Sequence, residues 1–191
     1  MREPFESYLM YFLIPLWVAA GVADWCCHRA TRIERTSGAK ESMLHLLMLA
    51  EMGVPVLAAL FLRINALVLV AMTVAYVVHQ ATAMWDVSYA VAHRTVKPFE
   101  QHVHSFLEMI PLMALSVVVL LHWDEVLGLF GMGSVSPDFS LRWKDPPLPW
   151  GYVAAVVSVF VVLELLPYAE ELVRCLRQRR ARPLLAGQRR V

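Results

Sequence analysis

The sequence predicts an all-α integral membrane protein with five transmembrane helices, and three observations carry that expectation. Hydrophobic residues fill 59% and charged residues 17% of the 191 positions, with a mean hydropathy of +0.55, which is more apolar than a soluble domain. Five apolar segments reach the roughly 20 residues that cross a hydrocarbon core of about 30 Å at about 1.5 Å per residue. Lysines and arginines collect in alternate connections, the pattern expected when those connections share one side of a bilayer.

The spans are expected at 7–27, 41–62, 65–92, 99–122 and 150–172. The first reads as a membrane helix and not as a signal peptide. Its leader "MREPFES" carries two acids, and its far end "DWCCHR" lacks a small-residue cleavage site. "RIN" (63–65) is a short hairpin between spans two and three. The long connection 123–149 is broken by "GMGSVSPD" and "DPPLP", whose glycines and prolines cannot continue a helix, and 126–130 is placed along the interface. Trp123, Trp143 and Trp150 fit an aromatic belt at that boundary.

The basic residues set the expected orientation. Arg29, Arg32, Arg35 and Lys40 follow the first span, Arg94 and Lys97 the third, and Arg174, Arg177, Arg179, Arg180, Arg182, Arg189 and Arg190 the fifth. Arg2, Arg63, Arg142 and Lys144 fall on the other side. This bias places the N-terminus outside and the C-terminus in the cytoplasm, in what is expected to be a bacterial inner (plasma) membrane. Residues 1–176 form one five-helix transmembrane domain and 177–191 a basic cytoplasmic tail suited to anionic lipid. A formal net charge of +1, with no basic surface interleaved with aromatics, argues against nucleic acid as a partner. Cys26, Cys27 and Cys175 make neither a disulfide framework nor a CxxC metal motif.

Function is carried by where the polar residues fall. "EQHVHSFLE" (100–108) leads straight into an apolar run, and six of the seven histidines and seven acids sit at the cytoplasmic ends or inner halves of the first four spans. Residues three, four or seven apart share a helix face. Asp24 and His28 are four apart, as are Glu41 and His45; His79, Asp86 and His93 recur every seven; Glu100, His104 and Glu108 follow in steps of four. Rise per residue places His28, His45, Asp86 and His104 in one shallow layer, with Asp24, Glu51, His79 and Glu108 deeper. Pro55 can bend the second span enough to turn Glu51 inward.

An ionisable side chain in hydrocarbon costs about 2.5–3.5 kcal/mol, so such residues face the bundle interior and pair. Four helices carrying both nitrogen and oxygen donors at matching depth fit a pair of transition-metal ions, whose charge offsets several carboxylates at once. The expected ligands are Asp24, His28, Glu41, His45, Glu51, His79, Asp86, Glu100, His104 and Glu108. His93, His102, Glu34, Gln80, Thr82, Tyr76 and Tyr89 are placed as further ligands or as partners that orient the ligands. Mixed histidine and carboxylate donors favour iron first, with zinc or manganese as alternatives. The fifth span, whose Glu164 and Glu171 lie near Arg174 and Arg177, is expected to support the bundle.

This pattern resembles the di-iron carboxylate four-helix bundles, with pairs spaced four apart where those use Glu-x-x-His. In arrangement it is also similar to the membrane fatty-acid hydroxylases and desaturases, although their HxxxH and HxxHH boxes are absent. The resemblance implies a membrane-embedded dinuclear oxidoreductase, dioxygen-using, with a lipid or other membrane-soluble substrate and an electron donor as partners. The alternative is a zinc-dependent hydrolase of lipid esters or amides, attacking through Ser42 or a zinc-bound water in the spirit of the alkaline ceramidases. A metal transporter or a non-catalytic membrane subunit is a weaker expectation, because the outer halves lack polar residues.

Overall fold

The computed structural model describes residues 2–133 and 135–188, with side chains for 3–133 and 135–181. It is all-helical, and five helices are long and apolar enough to cross a membrane. They are α1 (Glu3–Thr31), α2 (Ala39–Phe61), α3 (Ala66–His93), α4 (Pro98–Leu121) and, after the short helix α5 (Trp123–Leu129), α6 (Trp150–Ala181). The helix of α6 runs on through Gln188, so the segment assigned to a tail begins helically. Residues 189–191 of that segment lie outside the described residues.

The helices close a five-membered ring in the order α1, α4, α3, α2, α6, antiparallel at every seam except the one that closes it, where α1 and α6 run parallel. This revises the expected four-helix bundle with an outer supporting helix. The last span packs against α1 and α2 and completes the wall. Its buried side chains Glu164, Tyr168 and Glu171 lie three or four residues apart and so share one inward face.

Two apolar clusters hold the ring away from its polar end. Leu13 and Ala20 of α1 meet Ile110 and Val117 of α4, and Val68, Leu69 and Met72 of α3 meet Val118 of α4. Many large apolar side chains on the outer faces stay exposed, among them Val54, Val77, Phe106 and Val162. That is the pattern expected of helices solvated by lipid on one side. Both α1 and α6 contain a stretch of π-helix, at Leu9–Leu13 and Val161–Leu165. The second places Glu164 on the inner wall, and such widened turns are common at functional positions.

At one end, the 135–149 segment folds back over the α2–α3 turn. Leu62 pairs with Trp143, Arg63 N–H donates to the Arg142 carbonyl, and Lys144 Nζ reaches the Ala59 carbonyl. Asn65 caps α3, accepting from Val68 N–H and donating to the Ser140 carbonyl. The other end carries the connections from Arg29 to Lys40 and from Arg94 to Lys97 and is called the basic end below. Gly38 begins α2 there with φ 71° and ψ −149°, a conformation only glycine adopts without strain.

Candidate metal centre

Asp24 and His28 share an inward face of α1 because they are one helical turn apart. His104 comes from α4, and its Nε2 lies 2.9 Å from Asp24 Oδ1. His28 Nε2 lies 3.4 Å from Asp24 Oδ2 and 3.7 Å from Glu100 Oε1. Ligand atoms of Asp24, His28, Glu100 and His104 all lie within 4.8 Å of one another. An ion about 2.1 Å from each donor would set neighbouring donors about 3.0 Å apart in octahedral and about 3.4 Å apart in tetrahedral geometry, so these separations suit one metal.

Unsatisfied atoms point the same way. His28 Nε2 and Glu100 Oε2 are buried and have no hydrogen-bond partner among the described residues, while Asp24 Oδ1 has the close approach of His104 Nε2. Buried polar atoms are nearly always hydrogen-bonded, so two orphans within one four-residue group need an explanation. Asp24 Oδ2 does have a partner, accepting from the Tyr168 hydroxyl at 3.0 Å.

A second grouping that could hold a metal joins His28, His45 and Glu171. His28 Nδ1 lies 3.1 Å from Glu171 Oε2, and His45 Nδ1 lies 3.4 Å from Glu171 Oε1. The two rings are stacked, however, with centroids 4.4 Å apart and planes 13° from parallel. Stacked rings cannot both aim an in-plane lone pair at one ion. The geometry suits Glu171 better as a carboxylate accepting an N–H from each ring, which fixes both tautomers and leaves both Nε2 atoms as ligands. His45 Nε2 then faces Asp86 Oδ2 at 3.2 Å. A lone pair facing a carboxylate needs a proton or a metal ion between them.

The remaining expected residues divide between the cluster and other environments. Glu41 is fully buried and receives Arg94, whose Nη2 and Nε donate to its Oε1 at 2.5 and 3.0 Å. The same Nη2 donates to Glu100 Oε1 at 2.5 Å. Burial disfavours the Arg94 charge, but its hydrogen bonds to Glu100 and Glu41 outweigh that and hold its proton more tightly than usual. Glu51 and His79 sit deeper as a pair, 3.8 Å apart, with the Thr82 hydroxyl donating to Glu51 at 2.8 Å. Glu108 and His79 line the cavity described below.

Others lie outside the cluster. Glu34 pairs with Arg174 at the basic end. His93 is exposed and contacts the Tyr89 backbone and ring, Tyr89 donates to the Ser37 carbonyl, and His102 is exposed. Gln80 and Tyr76 are partly buried, and Gln80 Oε1 has no hydrogen-bond partner among the described residues.

Sequence reasoning missed Arg94, Glu164, Tyr168 and Glu171. The regular 164–168–171 spacing was a usable signal, but Glu171 was assigned to nearby arginines. In the fold Arg174 is engaged elsewhere, holding Glu34 and Glu170. Arg94 enters the sequence reading only as one of the basic residues that set the orientation.

Beside the cluster lies a cavity of about 350 Å³, within the usual range for small-molecule sites. Asp24, His45, Asp86, His104, Glu164 and Tyr168 contribute to it at one end, and the rest of its wall is chiefly aliphatic and aromatic. No protein-family model matches this sequence, and no curated protein and no solved structure matches it significantly.

Proposed function

We propose that this chain is a membrane-embedded dinuclear metal oxidoreductase acting on a lipid or other membrane-soluble substrate, with iron as the preferred metal. The observation that carries the reading is a charge imbalance. Asp24, Glu41, Asp86, Glu100 and Glu171 are all almost completely buried, and Arg94 is the fixed cation that reaches two of them. With neutral histidines, and with the neighbouring buried Glu164 counted as neutral, about four negative charges remain to be offset, which is what two divalent cations supply. One ion fits Asp24, His28, Glu100 and His104. A second fits His45 Nε2 and Asp86, on the cavity wall, where positions remain for substrate or dioxygen.

The metals supply redox and Lewis-acid chemistry when bound. The chain's residues do the rest. Glu171 orients His28 and His45, Tyr168 holds Asp24, Arg94 neutralises Glu41 and part of Glu100, and the apolar wall keeps water from the reacting end. Ser42 is fully buried and is not among the residues that line the cavity, which leaves a zinc-bound water as the nucleophile of the hydrolase alternative.

The test is metal content in detergent-purified protein, by mass spectrometry beside a near-ultraviolet and visible spectrum. About two irons per chain, reduced in Asp24→Asn and His104→Ala, is the expected result. Protein from metal-supplemented cells that holds no tightly bound transition metal would overturn the proposal. One colourless zinc per chain would return the hydrolase to first place.

A further inference from the structure

The cavity has a direction, and this restricts what can enter it. Its polar members cluster toward the basic end, whereas Met52, Leu60, Val156 and Phe160 continue it toward the opposite end with no ionisable side chain. Helices α2 and α6 pack closely along Leu166 and beyond and less closely along Trp150–Phe160, and the cavity, lined by all five long helices, has residues of both along this more open stretch. Leu57 of α2 and Val161 and Leu165 of α6 line it and are also exposed on the outer surface. The mouth therefore faces lipid.

We infer that the cavity admits, laterally from the bilayer, one single-chain amphiphile whose neutral polar terminus, such as a primary alcohol or aldehyde, meets the cluster while its tail runs between α2 and α6. The assignment rests on the metal-site reading for what the terminus meets, and on cavity geometry for the tail. The apolar wall matches a hydrocarbon chain and excludes a polar or branched headgroup from the outer end. Charge selects the terminus. Cluster carboxylates already match Arg94 and two divalent ions, so a fatty-acid carboxylate would bring an uncompensated negative charge into a low-dielectric space, at high cost. A neutral oxygen brings none, and Tyr168 and Glu164 offer hydrogen-bonding groups nearby. Gly53 controls the width of the passage: it lines the cavity, and a Cβ built on it meets no atom within 4 Å.

The experiment measures binding of radiolabelled 1-hexadecanol to the purified full chain in detergent, with hexadecanoate and hexadecane as competitors and metal content recorded for each sample. Hexadecanol is expected to bind saturably, and hexadecanoate to compete at least about tenfold more weakly. Gly53→Phe is expected to weaken binding by about tenfold or more while metal content stays unchanged, which also reports that the variant is folded. Leu57→Trp, at the mouth, gives a second reading if Gly53→Phe does not fold. Equal or tighter binding of hexadecanoate overturns the selected terminus. Binding indifferent to both substitutions overturns the route. Metal-free protein that binds hexadecanol in a Gly53-dependent way would sink the metal reading and leave this one standing, whereas metal-loaded protein without saturable binding would do the reverse.

Discussion

His28 and His45, from different helices, lie face to face, each directing Nδ1 at a different oxygen of Glu171. One carboxylate on α6 thereby sets the orientation of two rings on α1 and α2. Glu171→Gln keeps the shape but offers only one carbonyl oxygen to two N–H donors. Loss of such an orienting partner is expected to weaken metal affinity by about 10–100-fold, read by competition with a graded series of chelators. Affinity equal to the unmodified protein would show that Glu171 does not act through the histidines.

Gly21 on α1 takes the Glu164 carboxylate directly against its backbone. A Cβ there would lie 2.2 Å from Glu164 Oε2 and 2.6 Å from Oε1. Gly21→Ala is expected to cost about 1–3 kcal/mol in thermal unfolding followed in detergent. Adding Glu164→Ala removes the obstructing carboxylate and should recover most of that loss. A double variant no better than the single one would place the strain elsewhere.

Arg94 joins α3 to α2 and α4 through Glu41 and Glu100 at the basic end. Arg94→Leu leaves two buried carboxylates without their cation, a loss of about 3–5 kcal/mol on the scale of broken buried ion pairs. Arg94→Leu combined with Glu41→Gln and Glu100→Gln should restore much of it. Because the guanidinium holds its proton more tightly in the fold than in the unfolded chain, its contribution is fully present below the ordinary arginine pKa and is lost only as pH rises through the raised value. Chemical unfolding from neutral pH up to about pH 10 should therefore show no loss attributable to this residue.

At the other end, the Asp138 carboxylate accepts from both the Ser140 N–H and its hydroxyl, at 2.9 and 2.6 Å. These bonds hold its pKa below the usual aspartate value. A depressed folded value means that the contribution is present above the ordinary carboxylate pKa and fades as pH falls through the lowered one. Protection of the Ser140 amide, taken relative to its intrinsic exchange rate at each pH, should decrease on acidification in the unmodified protein, and Asp138→Asn should flatten that dependence. Equal acid sensitivity in both would assign the effect to another group.

The sequence by itself determined the five membrane helices, since length and apolarity meet the one demand hydrocarbon makes: every backbone polar group must be satisfied within the segment. It also determined which faces of the first four spans carry donors, because helical spacing puts Asp24 beside His28 and aligns His79 with Asp86. Tertiary structure decided the rest. That Arg94 would fold back onto Glu41 and Glu100 depended on how three helix ends meet, and that Glu171 would serve two histidines depended on α6 closing the ring between α1 and α2. Neither follows from periodicity, which fixes the face a residue occupies on its own helix but not which helix that face will meet.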